Sequence, residues 1–131
     1  MDPARLAAIP LFSSLPQEQL GAIAAVAGER MVEQGATLTD EGDFGHCLFA
    51  IEEGTAEVRQ RGTTIRSVGN GDIIGEIAVL AAGRRSATVV ATSRLRVITL
   101  FKRDVWALER QAPEAAKRLR ELLEQRTTAH G

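Results

Sequence analysis

The sequence has little cysteine, almost no net charge and no long apolar run, and each absence excludes a class of protein. It contains one cysteine, Cys47, which excludes an internal disulfide framework and a cysteine-rich zinc or iron–sulfur site. The formal net charge of -1 argues against direct nucleic-acid binding, which usually requires a basic face. No run approaches the roughly 20 apolar residues that span a bilayer, and no signal peptide is expected. We therefore expect a soluble, cytoplasmic chain that does not itself span a membrane.

What is present is typical of one globular domain. Hydrophobic residues make up 44% and charged residues 25% of the 131 positions, and a chain of this length can bury a core. We predict a single domain over residues 1–131. Its parts are an N-terminal helical segment (1–29), a β-roll (30–101) and C-terminal hinge and lid helices (102–131).

The apolar pattern changes period twice along the chain. Residues 17–27 follow helical spacing, and Ser14 stands at capping-box distance from Gln17. Short runs rich in Val, Ile and Thr then alternate with glycine turns, which predicts many short antiparallel strands. After Phe101 the helical period returns, with a break at Pro113. The predicted fold is mainly β: an antiparallel β-roll of the jelly-roll type with an N-terminal helix, a short internal helix and two C-terminal helices.

The stretch GEIAVLAAGRRSATV, residues 75–89, contains charges among small and aliphatic residues. Glu76, Arg84 and Arg85 need partners, because an unpaired charge in apolar surroundings is costly. Glu76 and Arg85 could pair with each other. Alternatively, the amides of a short helix after the Gly75 turn form an anion site, and an arginine would complete a phosphate cradle. The acid would then accept hydrogen bonds from a sugar diol, so the pattern indicates a ligand with phosphate and ribose.

This stretch resembles the phosphate-binding cassette of cyclic nucleotide-binding domains. The resemblance extends over almost the whole chain. It includes EGDFGHCLFAIEEGTAEV at residues 41–58 and the two closing helices in RDVWALERQAPEAAKRLRELLEQR at residues 103–126. We define the cassette as residues 74–89. Membership of this family implies the β-roll fold, with the cassette between its strands.

The resemblance implies a cyclic nucleoside monophosphate as ligand, with cAMP favoured over cGMP and no other cofactor. It puts Glu76 on the ribose 2′-hydroxyl and Arg85 on the cyclic phosphate. The backbone at Gly75, Ile77 and Ala78 would face the ligand, and Ser86 would offer a hydroxyl to the phosphate. Further candidates are Ile74, Arg84, Ala87 and Thr88 in the cassette, and Arg118, Leu119 and Leu122, which would cover the base.

The implied function is that of a regulatory sensor whose C-terminal helices move on binding, with a hinge at residues 111–113. The chain would act alone or with an output domain of a larger channel, transporter or regulator, or with another protein. The alternative is a domain that has kept the fold but lost the nucleotide and serves in structure or protein interaction. We expect no enzymatic activity, because neither a metal site nor a poised base accompanies Glu76.

Overall fold

Two four-stranded antiparallel sheets form the body of the protein, with helices on one side. The computed structural model describes residues 1–130, with side chains except at Ala82 and residues 127–130. The elements before the cassette are α1 (Pro3–Ala7), α2 (Gln17–Val26), β1 (Gly28–Val32), β2 (Thr37–Thr39), β3 (Cys47–Glu53), β4 (Ala56–Gln60) and β5 (Thr63–Val68). The remaining elements are β6 (Ile73–Ile74), a π-helical turn (Ala78–Ala82), β7 (Thr88–Ala91), β8 (Leu95–Phe101), α3 (Lys102–Gln111) and α4 (Pro113–His130).

The strand order confirms the predicted β-roll. One sheet has the order β1-β8-β3-β6 and the other β2-β7-β4-β5, and all pairings are antiparallel. The cassette leaves the first sheet at β6 and enters the second at β7. It therefore bridges the two sheets at one end of the roll.

Strands β3 and β8 lie between two hydrophobic cores. Alternate residues of each strand point to opposite faces, so Phe49 and Val97 join the cluster between the sheets, whereas Leu48 and Leu100 join the cluster under the helices. The alternation of Arg94 and Arg96 with Leu95 and Val97 in the sequence indicates one exposed and one buried face for β8. Beyond Arg96 both faces are buried, because the helical layer covers the second one.

The helical layer is formed by both ends of the chain. Phe12 and Leu20 from the N-terminal segment pack in one cluster with Leu108 of α3 and Leu119 of α4. Helix α2 begins at Gln17 without a side-chain cap, so the predicted cap by Ser14 is wrong.

The break between the last two helices falls where the sequence predicted it. Helix α3 ends at Gln111, Ala112 leaves helical geometry at φ -148° and ψ 67°, and α4 starts at Pro113. Proline suits a first helical position because its missing N–H has no intrahelical partner there. Across the described part of the chain, no helix combines the length and apolarity needed to cross a membrane.

Candidate ligand-binding site

The cassette turns sharply after β6 and forms a short, wide helix. Gly75 has φ +87°, a left-handed conformation that favours glycine. The chain then forms a π-helical turn in which the Gly83 N–H donates to the Ala78 carbonyl, five residues earlier, at 2.9 Å. The predicted short helix is therefore present, in a π rather than an α register. Single π turns of this kind are frequent at functional sites.

Two glycines leave room for the Arg85 side chain. A Cβ atom at Gly75 would lie 2.3 Å from Nη1 of Arg85, and one at Gly45 would lie 3.2 Å from its Cζ. Both distances are too short for ordinary packing. The backbone of the cassette and that of the preceding loop thus approach the guanidinium as closely as glycine permits.

Arg85 is a buried cation without a carboxylate partner. Its side chain is 8% exposed, and Nη2 donates to the Cys47 carbonyl at 2.7 Å. A longer contact of 3.4 Å joins Nη1 to the Gly75 carbonyl, and the guanidinium lies 5.4 Å from the Phe49 ring centroid. Among the described side chains, no carboxylate is within ion-pair distance. Burial of a charge without an opposite charge is costly, so this guanidinium is suited to bind an anion.

Glu76 pairs with an arginine from the last helix. The carboxylate is 2% exposed, and its Oε2 lies 2.6 Å from a guanidinium nitrogen of Arg126 on α4. Glu76 and Arg85 therefore do not form the ion pair that the sequence left open, because Glu76 pairs with Arg126. The angle of the contact is poor, so within the described residues Oε2 receives no hydrogen bond. The carboxylate can therefore still accept one from a hydroxyl.

A third arginine, Arg66 of β5, also lines the pocket. Its Nε is buried and, within the described residues, makes no hydrogen bond. Burial lowers the pKa of the Arg66 guanidinium, as does the charge of Arg126, against a smaller opposing effect of Glu76 and Asp72. Three arginines thus surround one carboxylate in the described lining, and this excess of positive charge suits an anionic ligand.

The pocket brings together most of the residues predicted in the cassette. It is enclosed by the cassette, by the inner face of the second sheet and by α4. The predicted residues that line it are Ile74, Gly75, Glu76, Ile77, Ala78, Arg85, Ser86 and Ala87. The residues that sequence reasoning missed are Thr39, Val58, Gln60, Ile65, Arg66, Val89 and Arg126.

Two predicted cassette residues lie outside the pocket. Arg84 is exposed, donates to the Gly42 carbonyl at 2.9 Å and stacks 4.1 Å from the Phe44 ring centroid. The Thr88 hydroxyl accepts a hydrogen bond from the Glu41 amide at 3.0 Å. Both side chains fasten the cassette to the loop that precedes β3 and leave the pocket lining to their neighbours.

The structure does not bring the predicted base-covering residues of α4 to the pocket. Leu119 is 1% exposed and belongs to the helical core, against which Leu122 packs. Arg118 donates to the Leu11 carbonyl and the Ser14 hydroxyl, on the side of the N-terminal segment. The apolar surface of Leu119 and Leu122 is therefore covered by the helical core, which includes Leu108 of α3, and is not directed to the ligand. Arg126, one helical turn beyond Leu122, reaches Glu76 in the cassette.

A β-roll whose cassette holds an unpaired arginine and a buried carboxylate defines a class of small-molecule sensor domain. The profile of the cyclic nucleotide-binding domain family matches residues 29–111. The chain belongs to this family, a family of regulatory domains.

Relatives include a cyclic nucleotide-gated potassium channel of Rhizobium etli, 32% identical over 115 residues that cover 88% of this chain. The solved catabolite activator protein of Thermus thermophilus is 30% identical, covers 92% of this chain and has a TM-score of 0.81. The regulatory subunit of a cAMP-independent protein kinase A of Trypanosoma brucei shares the fold at a TM-score of 0.80, with 23% identity over 95% of this chain. The chain spans 32%, 59% and 44% of these three proteins.

Proposed function

We propose that this chain is a sensor that binds cAMP or cGMP in the cassette pocket and transmits binding through α4. The observation that carries the proposal is the buried Arg85 guanidinium, which faces a pocket rich in positive charge and has no carboxylate partner in the described structure. The cyclic phosphate would supply its counter-ion. Backbone amides at the start of the cassette helix would contribute further donors.

Glu76 and Arg126 suggest how binding reaches the last helix. The Oε2 atom of Glu76 lies beside Arg126 but, within the described residues, accepts no hydrogen bond. A ribose 2′-hydroxyl could donate to that oxygen and displace the arginine. Release of Arg126 would free the far end of α4 to change position, so the ligand would have a different affinity for the two positions of the helix, as any such shift requires.

Calorimetry with purified protein and either nucleotide tests the proposal. Arg85→Ala should weaken binding at least about thirtyfold, because truncating one partner of a desolvated charge pair costs about 2–5 kcal/mol. Arg84→Ala is the matched control, since Arg84 is adjacent in sequence but lies outside the pocket. Equal losses in the two variants, or no binding by the unmodified protein, would contradict the proposed site.

The choice of purine depends on Arg66. The resemblance favoured cAMP, but Arg66 supports the opposite preference. Guanine presents two acceptors on one edge, N7 and O6, and arginine donates to both, whereas adenine presents an acceptor and a donor there. Arg66 lines the same pocket, and within the described residues its buried Nε makes no hydrogen bond, so the guanidinium is available to a base edge. We propose that Arg66 favours cGMP.

The ratio of cGMP to cAMP affinity measures this preference. A well-placed bidentate pair discriminates by about 1–3 kcal/mol, so cGMP should bind about five- to a hundredfold more tightly. Arg66→Met should abolish most of that ratio while binding of cAMP is retained. Arg59→Met, in which an arginine of the same sheet loses its pair with Glu57, should leave the ratio unchanged. A preference for cAMP in the unmodified protein would restore the original expectation.

The second candidate function is a nucleotide-free interaction domain. The structural likeness to a regulatory subunit described as cAMP-independent is the observation that favours this second candidate. Absence of calorimetric heat and of thermal stabilisation with both nucleotides would support it over the sensor. In either case we propose a cytoplasmic protein that acts with an output domain of a channel, transporter or regulator, or with another protein.

A further inference from the structure

Helix α3 presents a stripe of basic and aromatic side chains to solvent. Val105 and Leu108 face the helical core and are 4% and 1% exposed. The opposite face, at spacings of three and four residues, is formed by exposed side chains and by Lys102, which is half-buried. Together with the last residue of β8, this face is named the α3 strip: Phe101, Lys102, Arg103, Trp106 and Arg110.

The aromatic residues of the α3 strip are unusually exposed. The protein has one tryptophan, and its side chain is 60% exposed, with the Lys102 ammonium 5.2 Å from the ring centroid. Phe101 is 48% exposed and lines an open groove with His46, Lys102 and Arg103. Large apolar side chains that cluster at the surface commonly mark an interaction site.

The charges of the α3 strip are uncompensated. Among the described side chains, no carboxylate lies within ion-pair distance of Lys102, Arg103 or Arg110, whereas five arginines elsewhere on the surface are paired with carboxylates: Arg5, Arg59, Arg94, Arg96 and Arg120. The acids of α3 do not offset them. Asp104 is half-buried, and Glu109 pairs with Arg120.

We infer that the α3 strip docks on an anionic lipid surface. Tryptophan and phenylalanine beside lysine and arginine are the side chains that favour the headgroup region, where the ring has apolar surroundings and the cations meet lipid phosphates. Basic residues near such a surface are attracted to it. A helix face that projects outward can lie against a broad surface, and its exposed rings gain apolar surroundings there that an acidic peptide does not supply.

Trp106 provides a built-in reporter for the test. The full chain is mixed with vesicles of phosphatidylcholine alone or of phosphatidylcholine with phosphatidylglycerol. With the anionic vesicles we expect co-sedimentation, a blue shift of Trp106 fluorescence, and loss of both as salt rises. Arg103→Gln with Arg110→Gln should reduce partitioning on the order of twentyfold, because each cation contributes about fivefold near such a surface.

The control removes the same number of charges elsewhere. Arg94→Gln with Arg96→Gln lowers the net charge equally but affects arginines already paired with Glu33 and Glu53, so partitioning should be retained. Equal losses in both double variants would reduce the effect to net charge and overturn the inference. It would also be overturned if Trp106→Ala bound as well as the unmodified chain. A fluorescence shift with poly-glutamate or duplex DNA, but not with vesicles, would assign the α3 strip to a different partner.

Discussion

At the scale of the residue, the Glu76 carboxylate is a buried charge whose ion pair lacks a hydrogen bond. Burial of a charge costs several kcal/mol unless ion pairs and hydrogen bonds offset it. Arg126 supplies the ion pair, but one carboxylate oxygen lacks a hydrogen bond within the described residues. Under the proposed function, a ligand hydroxyl would donate to that oxygen in place of Arg126. We therefore expect the pocket to prefer a ribose to a deoxyribose.

The predicted consequence is a coupling between Glu76 and the 2′-hydroxyl of the ligand. Hydrogen bonds to charged groups contribute about 1.5–3 kcal/mol, so Glu76→Gln should weaken nucleotide binding on the order of tenfold. The 2′-deoxy nucleotide should lose a similar amount with the unmodified protein but little more with the variant. Calorimetry of all four combinations gives the coupling energy. Additive losses would mean that the two groups do not meet.

The sequence could identify only those site residues that lie close together along the chain. Glu76 and Arg85 are in one continuous stretch, so their spacing in the cassette was sufficient. Arg66 and Arg126 reach the pocket from β5 and α4. Neither is distinguished by its neighbours in sequence, and only the packing of the sheets and of α4 brings them to Glu76. Arginines on the described surface have the same local pattern and no such role.

At the scale of the element, α4 serves the core and the pocket at once. Its first half is fixed by Ala115 and Leu119, which are 0% and 1% exposed in the helical cluster. Its second half reaches the cassette through Arg126. Truncation at Pro113 would therefore remove core residues as well as the lid, so loss of binding in that variant could reflect damage to the helical layer. A single substitution at Arg126 isolates the effect on the pocket.

We predict that Arg126→Gln tightens nucleotide binding about three- to tenfold. If the Arg126–Glu76 pair must open before the ribose reaches the carboxylate, a variant without the pair no longer pays this conformational cost. Hydrogen exchange should also change at the amides near residue 126 when nucleotide is added to the unmodified protein, but not to the variant. Arg120→Gln is the control, because this arginine of the same helix pairs with Glu109. Weaker binding by Arg126→Gln would instead make Arg126 a ligand contact.

The short helix of the cassette was predicted, but its register was not. Sequence indicated the helix from apolar residues and its end from Gly83. The π turn depends on the hydrogen bond from the Gly83 amide to the Ala78 carbonyl. The Gly45 amide in turn donates to the Gly83 carbonyl at 2.9 Å. The second contact comes from the loop before β3. Long-range backbone hydrogen bonds of this kind leave no periodic pattern in the sequence, and they determine where Arg85 enters the pocket.

At the scale of the whole molecule, an ion-pair network joins the N-terminal helix to the roll. Arg5 lies in the middle of α1 and contacts Glu29 of β1 and Glu52 of β3. The hydrogen bond from Arg5 lowers the pKa of Glu52 below its ordinary value near 4.5, against the opposing effect of burial. The folded state thus binds a proton at Glu52 less readily than the unfolded chain does.

The sign of this pKa shift predicts how stability responds to acid. A carboxyl whose pKa is lowered on folding stabilises the protein above its ordinary pKa, and that contribution disappears as pH falls through the folded value. Glu52→Gln should therefore lower the free energy of unfolding near pH 7 by at most about 1 kcal/mol, since the pair is partly solvated. Urea titrations at a series of pH values should show the difference constant down to about pH 5 and vanishing well below 4.5. Glu53→Gln is the control, because Glu53 is exposed and lies 3.9 Å from Arg96. A stability difference between the unmodified protein and Glu52→Gln that grew on acidification would mean that folding raises the pKa of Glu52, and the ion pair with Arg5 would then not stabilise α1 against the sheet.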